Sequence, residues 1–518
     1  MVEKKQNIVM FPFMAQGHII PFLALALHIE QRNKNYSITF VNTPLNINKL
    51  RQSLPPNSSI TLLEIAFDSS DHGLPPNSEN CDALPYSLVI TLLRASTSLG
   101  PAFKELVSEL IRKSHGERPL CIIADIFLGW TASVARELGV FHAIFSGCGA
   151  YGLACYYSLW SHLSQKKKKV DDDDDEFVLP DFEEASKLHA TQLPLSMLEA
   201  DGSDSWSVFQ GQNLPEWVKS NAVLFNTVQV FDQLGLMYFK RKLGCPVWPV
   251  GPVLLSLESR SKVGKEGGLS PEFCKEWLDS KLVKSVLYIS FGSMNTINKS
   301  QMMQLAMALE ASGRNFIWVV RPPIGFDINS EFRFHEWLPI GFAERVTDSK
   351  RGLLVQKWAP QLEILSHKST SAFLSHCGWN SVLEALIHGV PLLGWAMAGE
   401  QFFNVKFLEE ELGVCVEVAR GKTCDVRHED VVEKIELVMD ETSDQKKGKE
   451  IRRRVFQVKE MIENATKDEE NYKGSSVKAM DDFFNAAISM KEKKMMMMIK
   501  REEEEEEKKT SNSINGIS

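Results

Sequence analysis

The sequence lacks three features that would point to particular classes of protein. None of its nine cysteines belongs to a Cys-x-x-Cys pair, and an odd number cannot all pair within one chain, so a reduced, cytoplasmic compartment is predicted. No run reaches the roughly 18 consecutive apolar residues that a membrane-spanning helix requires. Basic residues do not outnumber acidic ones, at 58 against 67, and the chain therefore offers no overall positive field to nucleic acid or anionic membranes.

The sequence does contain enough apolar residues to build large hydrophobic cores. Of its 518 residues, 44% are hydrophobic and 24% are charged, which is typical of soluble globular proteins. At roughly 100 to 200 residues per domain, this length predicts two large domains. Much of the acid behind the net charge of −9 lies in two runs, 171–176 and 502–507. The rest of the chain is near charge balance, which is compatible with small uncharged or weakly charged partners.

Short apolar runs alternate with longer segments of helical period along the chain. This pattern is typical of α/β proteins in which helices cover both faces of a parallel sheet. The predicted strands lie at 7–13, 37–42, 60–67, 120–124 and 141–145 in the first half and at 285–291, 315–321, 352–356, 371–375 and 391–395 in the second. Because the pattern restarts after a Pro- and Gly-rich stretch, two domains joined by a linker are predicted.

The domain boundaries are predicted from changes in composition. The first domain takes residues 1–253, a polar linker takes 254–270, and the second domain takes 271–490, with its last helices able to pack back onto the first domain. Residues 166–176, mainly lysines followed by aspartates, are predicted to form a solvated loop. The tail 491–518 carries a methionine run, a glutamate run and then small polar residues, a composition that predicts disorder.

The segment from Trp358 to Gln401 carries the densest set of polar residues beside predicted strand ends. The strand 371–375 leads into His376 and Gly378, and a short helix follows. The first amide groups of that helix would therefore point out of the carboxyl edge of a parallel sheet. Such an edge is where α/β proteins bind ligands, and a helix N-terminus favours phosphate.

The residues that follow add groups suited to a nucleotide. Asn380 and Ser381 supply side-chain donors, and Glu384 lies four residues after Asn380, hence on the same helix face. A carboxylate at that place could accept hydrogen bonds from both hydroxyls of a ribose, and Trp358 offers a flat face to a base. Each residue alone is more typical of a helix cap or a core position than of a ligand contact. Their joint order is what indicates a nucleotide site.

In order and spacing this segment resembles the signature box of plant secondary-product glycosyltransferases, the family-1 enzymes that use uridine diphosphate sugars. The resemblance extends to the segments 226–227, 249–252, 285–293 and 316–321. It implies an α/β fold of the GT-B type, two facing Rossmann-like domains with an interdomain cleft, the donor in the second domain and the acceptor in the first. One departure is Ala396, because the family usually has proline after this tryptophan.

The resemblance also implies roles for individual residues. The implied donor contacts are Trp358 and the backbone of Ala359 for uracil, Gln361 and Glu384 for the ribose, Ser293, His376, Gly378, Asn380 and Ser381 for the diphosphate, and Trp379, Glu400 and Gln401 for the transferred sugar. Glutamine at position 401 is the pattern usual for glucose donors. UDP-glucose is therefore the expected co-substrate.

Two residues of the first domain follow predicted strands. His18 comes after the strand 7–13, at the start of a helix, and Asp125 directly follows the strand 120–124. On spacing alone, the histidine is more typical of a surface or core position, and the alternative role of the aspartate is that of a helix cap. The resemblance implies that His18 is the catalytic base and Asp125 its partner. A histidine, with an ordinary pKa of about 6.5, can take a proton from an acceptor hydroxyl, and a carboxylate would stabilise the resulting imidazolium.

These observations predict an inverting transfer of glucose from UDP-glucose to a hydroxyl group of a small lipophilic acceptor. Neither a metal ion nor a further cofactor is expected, since the Asp-x-Asp match lies inside the acidic run 171–175, without a strand before it. The alternative is a non-catalytic protein that binds nucleotide sugars. The acceptor, its reacting atom and the oligomeric state stay open at this point.

Overall fold

The chain folds around two parallel β-sheets that follow one another in sequence. The computed structural model describes residues 5–163, 176–256, 268–440, 442 and 445–515, so the predicted loop 166–176, apart from Glu176, and the linker residues 257–267 lie outside the described residues. The strands are β1 (Gln6–Phe11), β2 (Tyr36–Asn42), β3 (Thr61–Glu64), β4 (Cys121–Asp125), β5 (Phe141–Ser146), β6 (Glu176–Phe177), β7 (Leu188–His189), β8 (Ala222–Phe225), β9 (Val247–Pro249), β10 (Val286–Ser290), β11 (Asn315–Val320), β12 (Gly352–Gln356), β13 (Thr370–Ser375), β14 (Leu392–Ala396), β15 (Cys415–Arg420), β16 (Asp468–Glu469) and β17 (Tyr472–Lys473).

The order of the strands decides which residues meet at the edge of each sheet. The first sheet has the order β3-β2-β1-β4-β5-β8-β9 and the second has the order β12-β11-β10-β13-β14-β15. In the first sheet β1 pairs in parallel with β4, with Phe11 opposite Ala124. In the second, β10 pairs in parallel with β13, with Ser290 opposite Ser375. The predicted α/β class with two Rossmann-like domains is confirmed, and each of the ten predicted strands forms.

Helices connect the strands and cover both faces of each sheet, as parallel connections require. They are Gln16–Arg32, Pro44–Ser53, Val89–Ala95, Gly100–Lys113, Thr131–Leu138, Ala150–Ser161, Leu195–Leu198, Ser205–Trp217, Gln233–Leu243, Pro271–Asp279, Lys299–Ala311, Phe334–Trp337, Phe342–Asp348, Gln361–Ser366, Trp379–His388, Gln401–Lys406, His428–Met439, Lys446–Thr466 and Ser475–Asn515, with 3-10 turns at Ser69–His72, Cys81–Ala83, Tyr86–Leu88, Ser96–Leu99 and Ala190–Gln192 and a π-helical turn at Phe407–Glu411. None of the described helices is long and apolar enough to cross a membrane.

The two domains touch closely along one side of the space between them. The ring of Tyr151 stacks on that of Phe407 with centroids 5.0 Å apart. A Cβ atom on Gly152 would lie 2.1 Å from Oδ1 of Asn404, so glycine is required where these two helices approach. The indole N–H of Trp379 donates to the carbonyl of Asn226 at 2.7 Å. These contacts fix how the sheet edges of the two domains face each other.

The helix Ser475–Asn515 leaves the second domain and lies on the first. The ring of Phe483 packs edge-on against Phe141 at 6.0 Å and against Trp248 at 5.9 Å. The ring of Phe484 stacks on Tyr36 at 4.5 Å. Phe483 is fully buried, so this helix completes the hydrophobic core of the first domain.

Residues 491–515 are helical, which corrects the prediction of disorder from residue 491. Methionine, lysine and glutamate are strong helix formers, and the helix is already anchored by its packed first turns. Two lysines of this segment also contact the first domain. Lys491 Nζ donates to Gln6 Oε1 at 2.5 Å and to Glu117 Oε1 at 3.2 Å, and Lys494 Nζ donates to the carbonyl of Gly139 at 3.1 Å. Composition alone did not indicate these contacts.

Shortening the chain at two points should separate the anchored from the unanchored part of this helix. Removal of residues 491–518 should lower the free energy of unfolding by about 1 kcal/mol, because partly exposed ion pairs are worth about that much. Removal of residues 495–518 should change it by less than about 0.5 kcal/mol, since Met495, Met496 and Met497 are exposed. The midpoints of thermal unfolding of the two shortened proteins measure the difference in stability between them. Equal midpoints would contradict the predicted difference.

Candidate active site

The carboxyl ends of both sheets face a common cavity between the domains. Its volume is about 310 Å³, and residues of both domains line it. On the side of the first domain the lining comes from the segments that follow β1, β3, β4, β5 and β7. On the side of the second domain it comes from the loops after β10, β11, β12, β13 and β14. The cavity thus lies where parallel sheets bind their ligands.

His18 and Asp125 meet at this edge because their strands are neighbours. His18 lies in the first turn of the helix after β1, and Asp125 is the last residue of β4. The ring nitrogen Nδ1 of His18 is 2.9 Å from Oδ2 of Asp125. The other carboxylate oxygen, Oδ1, accepts the backbone N–H of Phe127 at 3.0 Å. The carboxylate is therefore held at both oxygens, and it orients the imidazole by Nδ1.

The environment of His18 favours its protonated form. The imidazole side chain is 21% exposed and the Asp125 side chain 2% exposed. Burial by itself lowers the pKa of His18. The charge of Asp125, its hydrogen bond to the ring and the charge of Glu400 together outweigh burial, and the pKa of His18 lies above its ordinary value of 6.5. A proton received by this ring is thus stabilised in place.

Apolar side chains surround His18 and form the wall of the cavity in the first domain. The ring of Phe13 meets the imidazole edge-on at 5.6 Å, and that of Phe127 lies 5.1 Å away. The lining continues with Leu93 and Trp206, and Met294 reaches in from the second domain. This part of the cavity is suited to a flat or compact apolar molecule.

Across the cavity, the helix Trp379–His388 directs its N-terminus towards the space. Gly378 is its N-cap, and a Cβ there would lie 2.5 Å from Nε2 of His376, so the turn needs glycine. Burial, and next the positive charge of Arg321, lower the pKa of His376 to about 4. His376 is therefore neutral at pH 7. The side-chain amide of Asn380 donates to the carbonyl of Gly17 at 2.9 Å, which ties this turn to the first turn of the helix that carries His18.

Gln361 connects three side chains at the next part of the cavity. Its Nε2 donates to Ser381 Oγ at 3.0 Å and to Glu384 Oε2 at 2.6 Å, and its Oε1 accepts from the hydroxyl of Tyr288 at 3.2 Å. Gln361 and Ser381 line the cavity together with Trp358. Glu384 is only 2% exposed and lies behind Gln361.

The turn after β14 supplies the remaining polar groups. The side-chain oxygen of Gln401 accepts the backbone N–H groups of Met397 and Ala398, both at 3.1 Å. Ala396 is fully buried as the last residue of β14. Burial raises the pKa of Glu400, partly offset by interactions with its own backbone, His18, Cys148 and Asn404. Glu400 and Gln401 both line the cavity.

Arg321 is a cavity residue that the strand pattern did not single out. It follows β11, lines the cavity and is 8% exposed. Its Nη1 donates to the carbonyl of Ser293 at 2.6 Å. The hydroxyl of Ser293 donates in turn to Asp82 of the first domain at 3.4 Å. Burial lowers the pKa of Arg321, while the charge of Asp82 acts in the opposite direction.

Within the described ranges, no three His, Cys, Asp or Glu side chains form a group that could hold a metal ion.

Known proteins resemble this chain over nearly its whole length. Residues 252–452 match the family model described as UDP-glucoronosyl and UDP-glucosyl transferase. UDP-glycosyltransferase 92A1 from Arabidopsis thaliana is 54% identical over 490 residues, which cover 94% of this chain and 98% of that protein. The chain belongs to the plant family-1 UDP-glycosyltransferases. It is a UDP-dependent glycosyltransferase, as the signature box predicted, and its family transfers sugars to small molecules of plants.

Two further members of the family support this assignment. Crocetin glucosyltransferase 3 from Crocus sativus is 43% identical over 452 residues, covering 84% of this chain and 91% of that one. The crystal structure of a Glycyrrhiza uralensis glycosyltransferase complexed with glycyrrhetinic acid 3-O-monoglucuronide superimposes with a TM-score of 0.82 at 27% identity, covering 97% of this chain and all of that one. This likeness confirms the predicted GT-B fold.

Most of the residues that the glycosyltransferase resemblance singled out lie around the one cavity. Those that line it are His18, Ser293, Trp358, Ala359, Gln361, His376, Gly378, Trp379, Asn380, Ser381, Glu400 and Gln401. Asp125 and Glu384 are not part of the lining, because each lies behind the residue that it contacts, His18 and Gln361. Arg321, and the apolar residues Phe13, Leu93 and Phe127 beside His18, were missed. An arginine that ends an apolar strand at the carboxyl edge was the available signal for the former.

Proposed function

We propose that this glycosyltransferase transfers glucose from UDP-glucose to a hydroxyl group of a small lipophilic acceptor, with inversion at the anomeric carbon and without a metal ion. The observation that carries the proposal is the contact of 2.9 Å between His18 Nδ1 and Asp125 Oδ2 at the wall of the cavity that the signature box also lines. The base and the carboxylate that orients it lie on one side of the cavity, and the nucleotide-binding groups lie on the other. This arrangement suits direct displacement of UDP from the sugar by the acceptor.

In the proposed step, the acceptor oxygen attacks the anomeric carbon of glucose. Its proton passes to the ring nitrogen Nε2 of His18, since Nδ1 is engaged by Asp125. The bond between the anomeric carbon and the diphosphate oxygen breaks with its electron pair going to UDP. A single displacement of this kind converts an α-linked donor into a β-linked product. Asp125 stabilises the imidazolium while the product forms.

The proposed donor site uses the groups opposite His18. Uracil would stack on Trp358 and meet the backbone of Ala359, and the ribose hydroxyls would bind Gln361 and Glu384. The diphosphate would lie at the N-terminus of the helix Trp379–His388, whose amide groups stabilise developing negative charge. The diphosphate contacts would be Ser293, His376, Gly378, Asn380 and Ser381. A neutral His376 keeps one ring N–H, which can donate to a phosphate oxygen.

Glucose is proposed as the sugar on two grounds. Gln401 closes the signature box, and glutamine there is the pattern usual for glucose donors. One relative, 43% identical, is named as a glucosyltransferase. Trp379, Glu400 and Gln401 would contact the sugar hydroxyls. The acceptor is proposed to be lipophilic because Phe13, Leu93, Phe127 and Trp206 line the cavity beside His18.

The proposal is tested by mixing the purified protein with UDP-glucose and a panel of hydroxylated lipophilic molecules. Release of UDP and formation of a β-glucoside are expected with at least one acceptor.

The same assay tests metal dependence. Because the negative charge that develops on the leaving UDP would be stabilised by amide and side-chain donors, turnover should be unchanged in excess EDTA. Turnover lost with EDTA and restored by magnesium or manganese would contradict the metal-independent step. UDP-glucose binding without any UDP release would instead favour a non-catalytic binding protein.

A further inference from the structure

Arg321 carries a positive charge to the part of the cavity where the proposed diphosphate would lie. It stands at the carboxyl end of β11, between the loops that carry Ser293 and Trp358 in the second sheet. Its charge is close enough to His376 to contribute to the lowered pKa of that imidazole. Ser293 and His376 are both among the proposed diphosphate contacts.

The guanidinium has more hydrogen-bond donors than its protein partners use. Nη1 donates to the carbonyl of Ser293 at 2.6 Å, and Nη2 donates to that of Lys357 at 3.4 Å. Nε is buried without a hydrogen-bond partner among the residues that the structure describes. A guanidinium has five N–H groups. Arg321 therefore keeps donor capacity while it lines the cavity.

A buried cation also needs a negative partner. Isolated charges are costly to bury unless they are paired, and Arg321 is 8% exposed. The carboxylate whose charge acts on it, Asp82, belongs to the opposite domain, where it also accepts the hydroxyl of Ser293. A diphosphate carries more negative charge than one carboxylate and suits the planar donor geometry of arginine.

We propose that Arg321 binds the diphosphate of the nucleotide sugar and supplies the positive charge that stabilises UDP as it leaves. The inference rests on the proposed function, because it needs the nucleotide in this cavity. It adds a cation to a diphosphate site otherwise made of amide, hydroxyl and neutral imidazole donors. If Arg321 only held the loops of Ser293 and Lys357 in place, its removal would disturb both loops. Binding of uracil would then be weakened as much as binding of the phosphates.

The difference between UDP and uridine separates these two roles. We expect Arg321→Met to weaken binding of UDP by at least about tenfold, since it removes charge-assisted hydrogen bonds to the diphosphate. Binding of uridine, which lacks both phosphates, should change less than about twofold. Calorimetric titration gives both dissociation constants. An equal loss for the two ligands, or an unchanged affinity for UDP, would overturn the proposal.

Two further variants complete the test. Arg321→Lys keeps the charge but loses the planar fork, so its ratio of UDP to uridine affinity should stay closer to that of the wild type than the ratio of Arg321→Met. If Arg321→Met does not fold, Arg321→Gln takes its place. An Arg321→Lys protein whose ratio of UDP to uridine affinity is as low as that of the uncharged variant would contradict the charge role. Arg333→Met is the matched control, because that side chain is 58% exposed and both affinities should stay unchanged.

Failure of this inference can be told apart from failure of the proposed function. If the wild-type protein binds neither UDP nor uridine, the nucleotide site itself is wrong. If it binds both and the Arg321 variants keep the wild-type ratio, the site stands and only the role of Arg321 is wrong.

Discussion

Replacing His18 with alanine is expected to lower the turnover number by about 10² to 10⁴, the usual contribution of a positioned general base. Nucleotide binding should persist, because the proposed donor contacts lie on the second domain. The measurement combines the steady-state rate of glucoside formation with the dissociation constant of UDP. A His18 that only packed against Phe13 and Phe127 would instead lower thermal stability and leave the rate per folded molecule unchanged.

The partner of His18 provides a second expectation. Asp125→Asn should also slow turnover, and the double variant should be little slower than His18→Ala alone, since the two residues act as one unit.

The pH dependence of the rate should also change in the Asp125→Asn variant. The neutral ring of His18 is the base, so the rate should fall as the pH drops below the pKa of His18. Asp125 raises that pKa against the effect of burial. Removing its charge should therefore move the acidic limb of the kcat/KM profile to lower pH.

His28 offers a matched control on the same helix. It lies ten residues after His18 and is exposed, and His28→Ala should leave both turnover and the pH profile unchanged. A His18→Ala protein that transfers glucose at nearly the wild-type rate would mean that the base lies elsewhere or that the acceptor needs none.

Glu384→Ala is expected to weaken UDP binding by at least about tenfold, because charge-assisted hydrogen bonds are worth about 1.5 to 3 kcal/mol each. The carboxylate is nearly inaccessible and accepts the side-chain amide of Gln361 at 2.6 Å. Its loss should release Gln361 as well as remove an acceptor for the ribose. Titration calorimetry with UDP measures the effect, and Glu384→Gln, which keeps the volume and one oxygen, should lose less.

Glu363 serves as the control for Glu384. It lies two residues after Gln361 in the short helix Gln361–Ser366 and is outside the cavity lining. Glu363→Ala should bind UDP as the wild type does. Unchanged UDP affinity in a folded Glu384→Ala protein would show that the ribose is held by other residues.

The positions of His18 and Asp125 could be predicted because they depend on one rule. Both follow apolar strands, and the carboxyl ends of parallel strands lie on one edge of a sheet. Their contact further requires β1 beside β4, a pairing that strand patterns do not specify. The same rule accounts for the donor side, where the predicted contact residues of the signature box, apart from Glu384, follow a strand or open a helix. Their roles, in contrast, are still predictions.

Features that depend on packing were not predictable in this way. β8 and β9 are only four and three residues long, too short for a periodic signal. Helical spacing gives the face on which Glu384 lies but not its depth, and the structure shows it 2% exposed and bonded to Gln361. Its contact with a ribose is still a prediction. The helical residues 491–515 were misread, since the same composition suits a disordered tail and a helix, and contacts such as that of Lys491 with Gln6 decide between them.

The helix Ser475–Asn515 has a consequence for the order in which this protein can be made. Tyr36, Phe141 and Trp248 leave the ribosome before the second domain, whereas Phe483 and Phe484, which cover them, leave after the strands of that domain. The first domain therefore cannot finish folding during its own translation and must wait for the second. Until then it carries an uncovered aromatic surface, the kind of surface that makes folding intermediates aggregate and that chaperones shield. Nascent chains that stop before Ser475 keep that surface open.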